Sequence, residues 1–466
     1  MGFLAFIALK DRVRVFVAFF IMAQCFDLAP QIVYGKNIWD YGAVLLLISA
    51  APLLFKKKIE SEKRPLFVTV LLLFTAWLFF SLLYSLLVYG YPLLDTIKAA
   101  RVMIVGYLSL FIFLRLFSVD KDAFDMFVKW FYVITFVLLI VAIIQYILGI
   151  PLLFGLHREY GSVTRYLPSY LYISQMFLWY ILSKYFASES VKKHEFLYAA
   201  MVVFITATTY TRGIYLAVLF AFFMMFFLLF RQGKVKANAT IGFILVFTVG
   251  VTVLTASGAL DRVIGRATSG LDILFSDNVK DTEIDIDTYT GRWLLVKERF
   301  QLVAKYNPVV GYGFIHENNL PKTLKDGLKY GSLVNTPEMR EKYLQGHPPV
   351  LALFSVDVGW GNIVLATGFV GFFLFCVFIV SFLISYRRKQ ISDIRFYHLH
   401  LASYLQTIIF LLLMFNGSSF THQVHMPMLM LAVYVYCGRI GRNKKSGDKP
   451  LAGKTTNILC PQKSQL

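Results

Sequence analysis

Four residues carry charge where this apolar sequence makes charge costly: Arg212, Arg292, Arg299 and Asp357. A guanidinium binds phosphate oxygens in pairs, and a carboxylate beside apolar surface works as a proton acceptor. Arg212 lies in Thr208-Thr209-Tyr210-Thr211-Arg212-Gly213, the single break in the apolar stretch 196–230. Thirty-five helical residues would run about 52 Å against a hydrocarbon core of about 30 Å, so the chain turns back there. The turn offers an arginine flanked by hydroxyls, Thr211 among them, to an anion; the plain alternative is an arginine snorkelling to the interface. From Arg292 to Ala304 the apolar residues Trp293, Val296, Phe300 and Val303 recur at helical spacing, and Asn307-Pro308 ends the run. Arg292 and Arg299 are seven apart and share a face, aimed at a membrane-borne phosphate or at solvent. Asp357 precedes Val358-Gly359-Trp360-Gly361 and a long apolar run, which suits either a general base or an N-terminal helix cap.

Other groups point less sharply. Asp285-Ile286-Asp287 has the spacing of metal-dependent sugar transferases, but those need nucleotide sugars from the cytoplasm. His422 and His425 have weak metal-ligand spacing with no third ligand. His316 and His347 are alternative bases. No glycine-rich nucleotide loop opens a helix, and the chemistry outlined here calls for no metal or cofactor.

The elements that position these groups are membrane helices. The chain of 466 residues is 58% hydrophobic and 17% aromatic, with mean hydropathy +0.64, values a soluble domain does not reach. An all-α, polytopic membrane protein follows, with about twelve spans: 13–34, 38–55, 66–88, 98–117, 128–149, 167–186, 196–211, 213–230, 240–256, 358–385, 398–416 and 426–440. Nine form an N-terminal bundle within 1–255 and three a C-terminal bundle within 358–440. One long polar loop, 256–357, separates them, and a polar tail, 441–466, reads as disordered.

The net charge of +19 suggests nucleic acid at first sight, but its distribution follows the positive-inside rule. With the N-terminus in the cytoplasm, 28 of the 46 basic residues fall in the inside links and tail, and six in the short outside links. That places both termini inside and the long loop outside. Cys25, Cys376 and Cys437 lie in spans and Cys460 in the tail, so no outer disulfide framework is expected. The first span reads as retained, not as a cleaved signal.

Three segments together resemble the O-antigen polymerase and ligase family of bacterial surface polysaccharide assembly. They are Thr211-Arg212-Gly213-Ile214-Tyr215, Gly291-Arg292-Trp293 through Asn307-Pro308-Val309-Val310-Gly311-Tyr312-Gly313, and Asp357-Val358-Gly359-Trp360 with Gly368-Phe369-Val370-Gly371. The resemblance covers roughly 196–385. It implies a donor glycan on undecaprenyl diphosphate in the cytoplasmic (inner) membrane of a bacterium. Arg212, Arg292, Arg299, Thr211, Gly311 and Gly313 would hold substrate, and Asp357 would be the base. Partners implied are the bilayer, a chain-length regulator and a flippase, with no nucleic acid. Ligases of the family carry a histidine near the position of Asp357, so the resemblance favours a repeat-unit polymerase. The alternatives are ligation to lipid A core or protein, and a flippase or exporter. Against transport stand the single large outer loop and the lack of internal repeats.

Overall fold

A computed structural model describes residues 2–57, 64–160, 163–209, 211–235, 289–316, 319, 321–327, 358–386, 391, 394–415 and 417–443. The chain is mostly helical. In order come α1 (Gly2–Ala8), α2 (Asp11–Met22), α3 (Ile38–Phe55), α4 (Leu66–Leu87), α5 (Leu93–Val119), α6 (Lys121–Leu148), α7 (Leu171–Phe186), α8 (Lys193–Thr208) and α9 (Arg212–Arg231). Further along the chain, α10 (Tyr289–Tyr306) and α11 (Lys322–Gly327) precede α12 (Gly359–Ser385), α13 (Ile394–Leu413) and α14 (His425–Asn443). Seven of these, α3, α4, α5, α6, α9, α12 and α13, are long and apolar enough to cross a bilayer among the described residues. Helices also stand at the other expected spans except 240–256, which lies outside the described residues along with Asp357, Asp285, Asp287, His347 and the tail after Asn443.

Two antiparallel hairpins depart from the all-α expectation: β1 (Ile32–Val33) with β2 (Lys36–Asn37), and β3 (Leu156–Tyr160) with β4 (Val163–Leu167). The first expected span, 13–34, is also cut short. Its helix stops at Met22, and Gln24, Cys25, Phe26 and Asp27 all take positive φ. Asp27 supplies the reason. Its carboxylate is buried and accepts from the Ser169 amide at 2.9 Å and the Tyr166 hydroxyl at 3.2 Å, bonds a continuing helix would not let it reach.

The helices alternate so that the links expected on one side collect at one end of the bundle. There Arg12 pairs with Asp122 at 3.0 Å, Lys184 with Glu195 at 3.0 Å, and the Tyr397 hydroxyl donates to Gln232 at 2.7 Å. The Phe124 ring packs at a tilt against Tyr436 at 4.2 Å and Phe396 at 6.0 Å, joining the start of α6 to the end of α14 and the start of α13. Since the end of α9 meets the start of α13 through Gln232, the two run antiparallel. Arg212 therefore lies at the opposite end, with Phe415 and Gly417.

α12 is broken at Gly368, whose φ of 64° and ψ of −169° are accessible to glycine alone. A broken helix in an apolar surrounding must find new partners for its freed backbone groups. Here the segment after α10 supplies them. Tyr312 N–H donates to the Leu365 carbonyl at 2.9 Å, and the Pro308 carbonyl accepts from Phe369 N–H at 2.8 Å. The indole N–H of Trp77 donates to the Thr367 carbonyl at 2.9 Å. Trp77 is ten residues from the end of α4, about 15 Å down the helix. The segment at 308–313 thus dips between α4 and α12 and does not lie wholly on the bundle's surface.

Candidate functional site

The site is built where α10 lies along the first turns of α12. The repeat Trp293, Val296, Phe300, Val303 predicts the apolar stripe of α10, but the most buried face is turned from it: Leu295, Glu298, Arg299, Leu302 and Val303. Trp293 and Phe300 flank that face, against Phe415 at 5.7 Å and Phe372 at 5.2 Å. Arg299 sits at its centre with 0% exposure. This corrects the expectation of an arginine facing solvent or an open leaflet, because the charged side chain points inward onto α12.

Gly361 makes the room. A Cβ there would come within 2.8 Å of the Arg299 Cδ, so any larger residue would push the arginine away. The Arg299 Nη1 donates to the Leu295 carbonyl at 3.1 Å, and Asn362 is buried next to Gly361 in the same turn. Burial pushes the guanidinium down to about 10, and nearby Glu298 opposes the fall. The group stays cationic at neutral pH. In so dry a setting its attraction to any anion that reaches it is much stronger than in water.

Arg292 lies two turns earlier on α10, and Arg212 opens α9; both side chains are outside the described residues. The turn expected at 207–213 is present. α8 ends at Thr208, and Thr211 stands at the cap position of α9, its hydroxyl donating to the Thr209 carbonyl at 3.1 Å. Asp357 falls just outside the described residues. The cap of α12 is Val358, with no side-chain cap hydrogen bond, and Gly359 N–H donates to the Gly417 carbonyl at 2.9 Å. That bond fixes the backbone following Asp357 against the turn between α13 and α14.

Gly311 and Gly313 are both buried and both have positive φ, 73° and 69°. A Cβ on Gly311 would meet the Gly368 amide nitrogen at 2.5 Å, and one on Gly313 would strike the Ser85 hydroxyl. Their glycine character is therefore explained by packing against α12 and α4. His316 is half-buried near Asp95, and His425 is buried edge-on to Phe19 at 6.0 Å.

Sequence reasoning missed what α4 and the link after it contribute. Besides Trp77, the Ser85 hydroxyl accepts from Phe314 N–H at 2.8 Å and the Tyr89 hydroxyl donates to the Gly311 carbonyl at 3.2 Å. The run Tyr84 to Tyr91, with three tyrosines in eight residues, was the available signal, but in a span it reads as an interfacial aromatic belt.

The apolar helices suggest a multi-pass membrane protein, with a buried arginine, Arg299, where α10 meets α12. Residues 197–376 match the model of a family described as O-antigen ligase, and the match supports an O-antigen polymerase/ligase-like family for the chain. It covers most of α8, then α9, α10, α11 and α12 past its break, so Arg212, Arg292, Arg299 and Asp357 all lie within it, while His422 and His425 do not. No curated protein matches the chain.

Proposed function

We propose that this protein joins lipid-linked oligosaccharide repeat units of an O-antigen, capsular polysaccharide or exopolysaccharide at the outer face of the cytoplasmic membrane. Its donor is a glycan on undecaprenyl diphosphate. One observation carries the reading. The Thr211–Arg212 turn, the helix bearing Arg299 and the first turn of α12 after Asp357 share one end of the bundle, inside a segment similar to O-antigen ligases. Arg212, Arg292 and Arg299, with the Thr211 hydroxyl, bind the diphosphate and take up its charge as it leaves. The acceptor hydroxyl oxygen forms the new bond to the anomeric carbon, the bond from that carbon to phosphate oxygen breaks, and the proton passes to Asp357. Gly311 and Gly313 serve by holding this frame.

Ligation to lipid A core or to protein uses the same steps, and the description of the matching family favours it as the second reading. Purified protein in liposomes, supplied with lipid-linked units extracted from the host, separates these. A ladder of lengthened glycans supports polymerisation. A single transfer, seen only with added lipid A core or protein acceptor, supports ligation. Movement of labelled lipid across the bilayer with no new glycosidic bond would leave a flippase.

A further inference from the structure

Beside the arginine-lined region lies a second cluster that the scheme above does not use. Tyr89 and Tyr91, between α4 and α5, stack with ring centroids 5.2 Å apart, and Tyr84 meets Tyr89 edge-on at 5.3 Å. Both members of the stacked pair are half-buried. The Tyr91 hydroxyl has no hydrogen-bond partner among the described residues, although its oxygen is shielded from solvent. Leaving such a hydroxyl unsatisfied is costly, and burial pushes the phenol upward, so it stays a neutral donor. One turn further on, the Asp95 carboxylate accepts from the Asn319 side-chain amide at 2.9 Å and pairs with Lys98 at 3.4 Å. His316 lies close enough to interact electrostatically with that carboxylate.

Flat aromatic faces beside a carboxylate and an amide are what a neutral sugar ring needs. Its C–H face packs on the rings, and its vicinal hydroxyls exchange hydrogen bonds with Asp and Asn. Tyr91 also packs on the small core that holds Tyr312, Leu365 and Val364. Tyr312 is bonded to Leu365, one helical turn from Gly361 and hence about 6 Å along α12 from the Arg299 contact. We infer that Tyr89, Tyr91, Asp95 and Asn319 form a sugar-binding subsite that holds an uncharged sugar of the lipid-linked glycan while the arginines hold its diphosphate. The inference rests on the glycan-transfer reading for its substrate class.

The test uses full-length protein in nanodiscs and, as probe, the lipid-free oligosaccharide released by mild acid from the host's lipid-linked pool. Saturation-transfer NMR reads binding, and the liposome assay reads KM and kcat. Tyr91→Ala should weaken oligosaccharide binding about tenfold and raise KM with kcat little changed, while Tyr91→Phe keeps the ring and most of the binding. Arg212→Ala should abolish transfer yet leave oligosaccharide binding intact, which keeps the two ideas separable. If Tyr91→Ala binds the oligosaccharide as wild type does, the subsite is overturned while glycan transfer stands. A Tyr91→Ala protein that loses thermal stability and kcat, with KM unmoved, also overturns it, because the tyrosine then only packs. Should the oligosaccharide bind through Tyr91 in a protein that transfers nothing, the subsite survives and the transfer reading falls.

Discussion

At the scale of single residues, the most telling placement is a permanent cation in the middle of a buried helix face. Arg299 occupies space that exists because residue 361 is glycine. Replacing it with leucine removes an ion whose desolvation is costly but also deprives the buried Glu298 of its cationic neighbour, so the two effects oppose each other and the net change in stability should be small. Transfer should nevertheless be lost. Measuring thermal unfolding and polymer yield on one Arg299→Leu preparation checks this; unchanged yield would reduce the arginine to packing. For Arg212, lysine keeps the charge but loses the paired N–H fork. Both Arg212→Lys and Arg212→Ala should insert normally and make little polymer, and full-length product from the alanine variant would leave only an interfacial anchor. Asp357→Asn cannot take a proton, and with Val358 at the cap position it should cost little stability. A drop of about 10²–10⁴-fold in rate is expected, with unpolymerised lipid-linked units accumulating. The sequence made these residues visible because charge is rare in apolar surroundings. It did not show that Arg299 is buried, because helical periodicity assigns a charged residue to the outer face by default.

At the scale of elements, the seven helices long and apolar enough to cross a bilayer among the described residues were legible, because a long run of apolar residues can hardly be anything else. The failures share one cause: a backbone that leaves the helix for partners distant in sequence. The stop after Met22 depends on Asp27 reaching Ser169, and the break at Gly368 depends on the Pro308–Tyr312 segment and Trp77. The pair of glycines at 368 and 371 was visible, but nothing local marks one of them as a break. A side chain at Gly368 would both occupy a glycine-only conformation and press on the Val309 carbonyl at 2.3 Å. Gly368→Ala should therefore cost at least about 1–3 kcal/mol and detach the loop from α12. Limited proteolysis, followed at residues 308–327 in native membranes, should show faster cleavage than wild type. Equal protection would mean that the loop does not depend on the break.

For the whole molecule, the charge asymmetry and the packing address different halves of the topology. Packing establishes the alternation: links bearing Arg12, Lys184 and Lys234 gather at one end, and Thr211, Val358 and Gly417 at the other. It is silent on which end faces the cytoplasm, since a bundle folds equally well in either orientation. The lysine and arginine bias is the ground on which we propose that half, because basic links tend to be retained on the inner side during insertion. The two lines agree in sorting the described links into the same two sets. Single cysteines in a background lacking Cys25, Cys376, Cys437 and Cys460 give the test. A cysteine at Gly327 should react with a membrane-impermeant maleimide in intact cells, and cysteines at Gln390 and Gly447 only after the membrane is opened. The proposed sugar subsite and the proposed arginine site would move with Gly327, since the segment leading into α11 is tied through Asn319 to Asp95. A cytoplasmic signal at Gly327 would put both beyond the reach of a lipid-linked glycan in the outer leaflet, and the proposed function would fail at its first requirement.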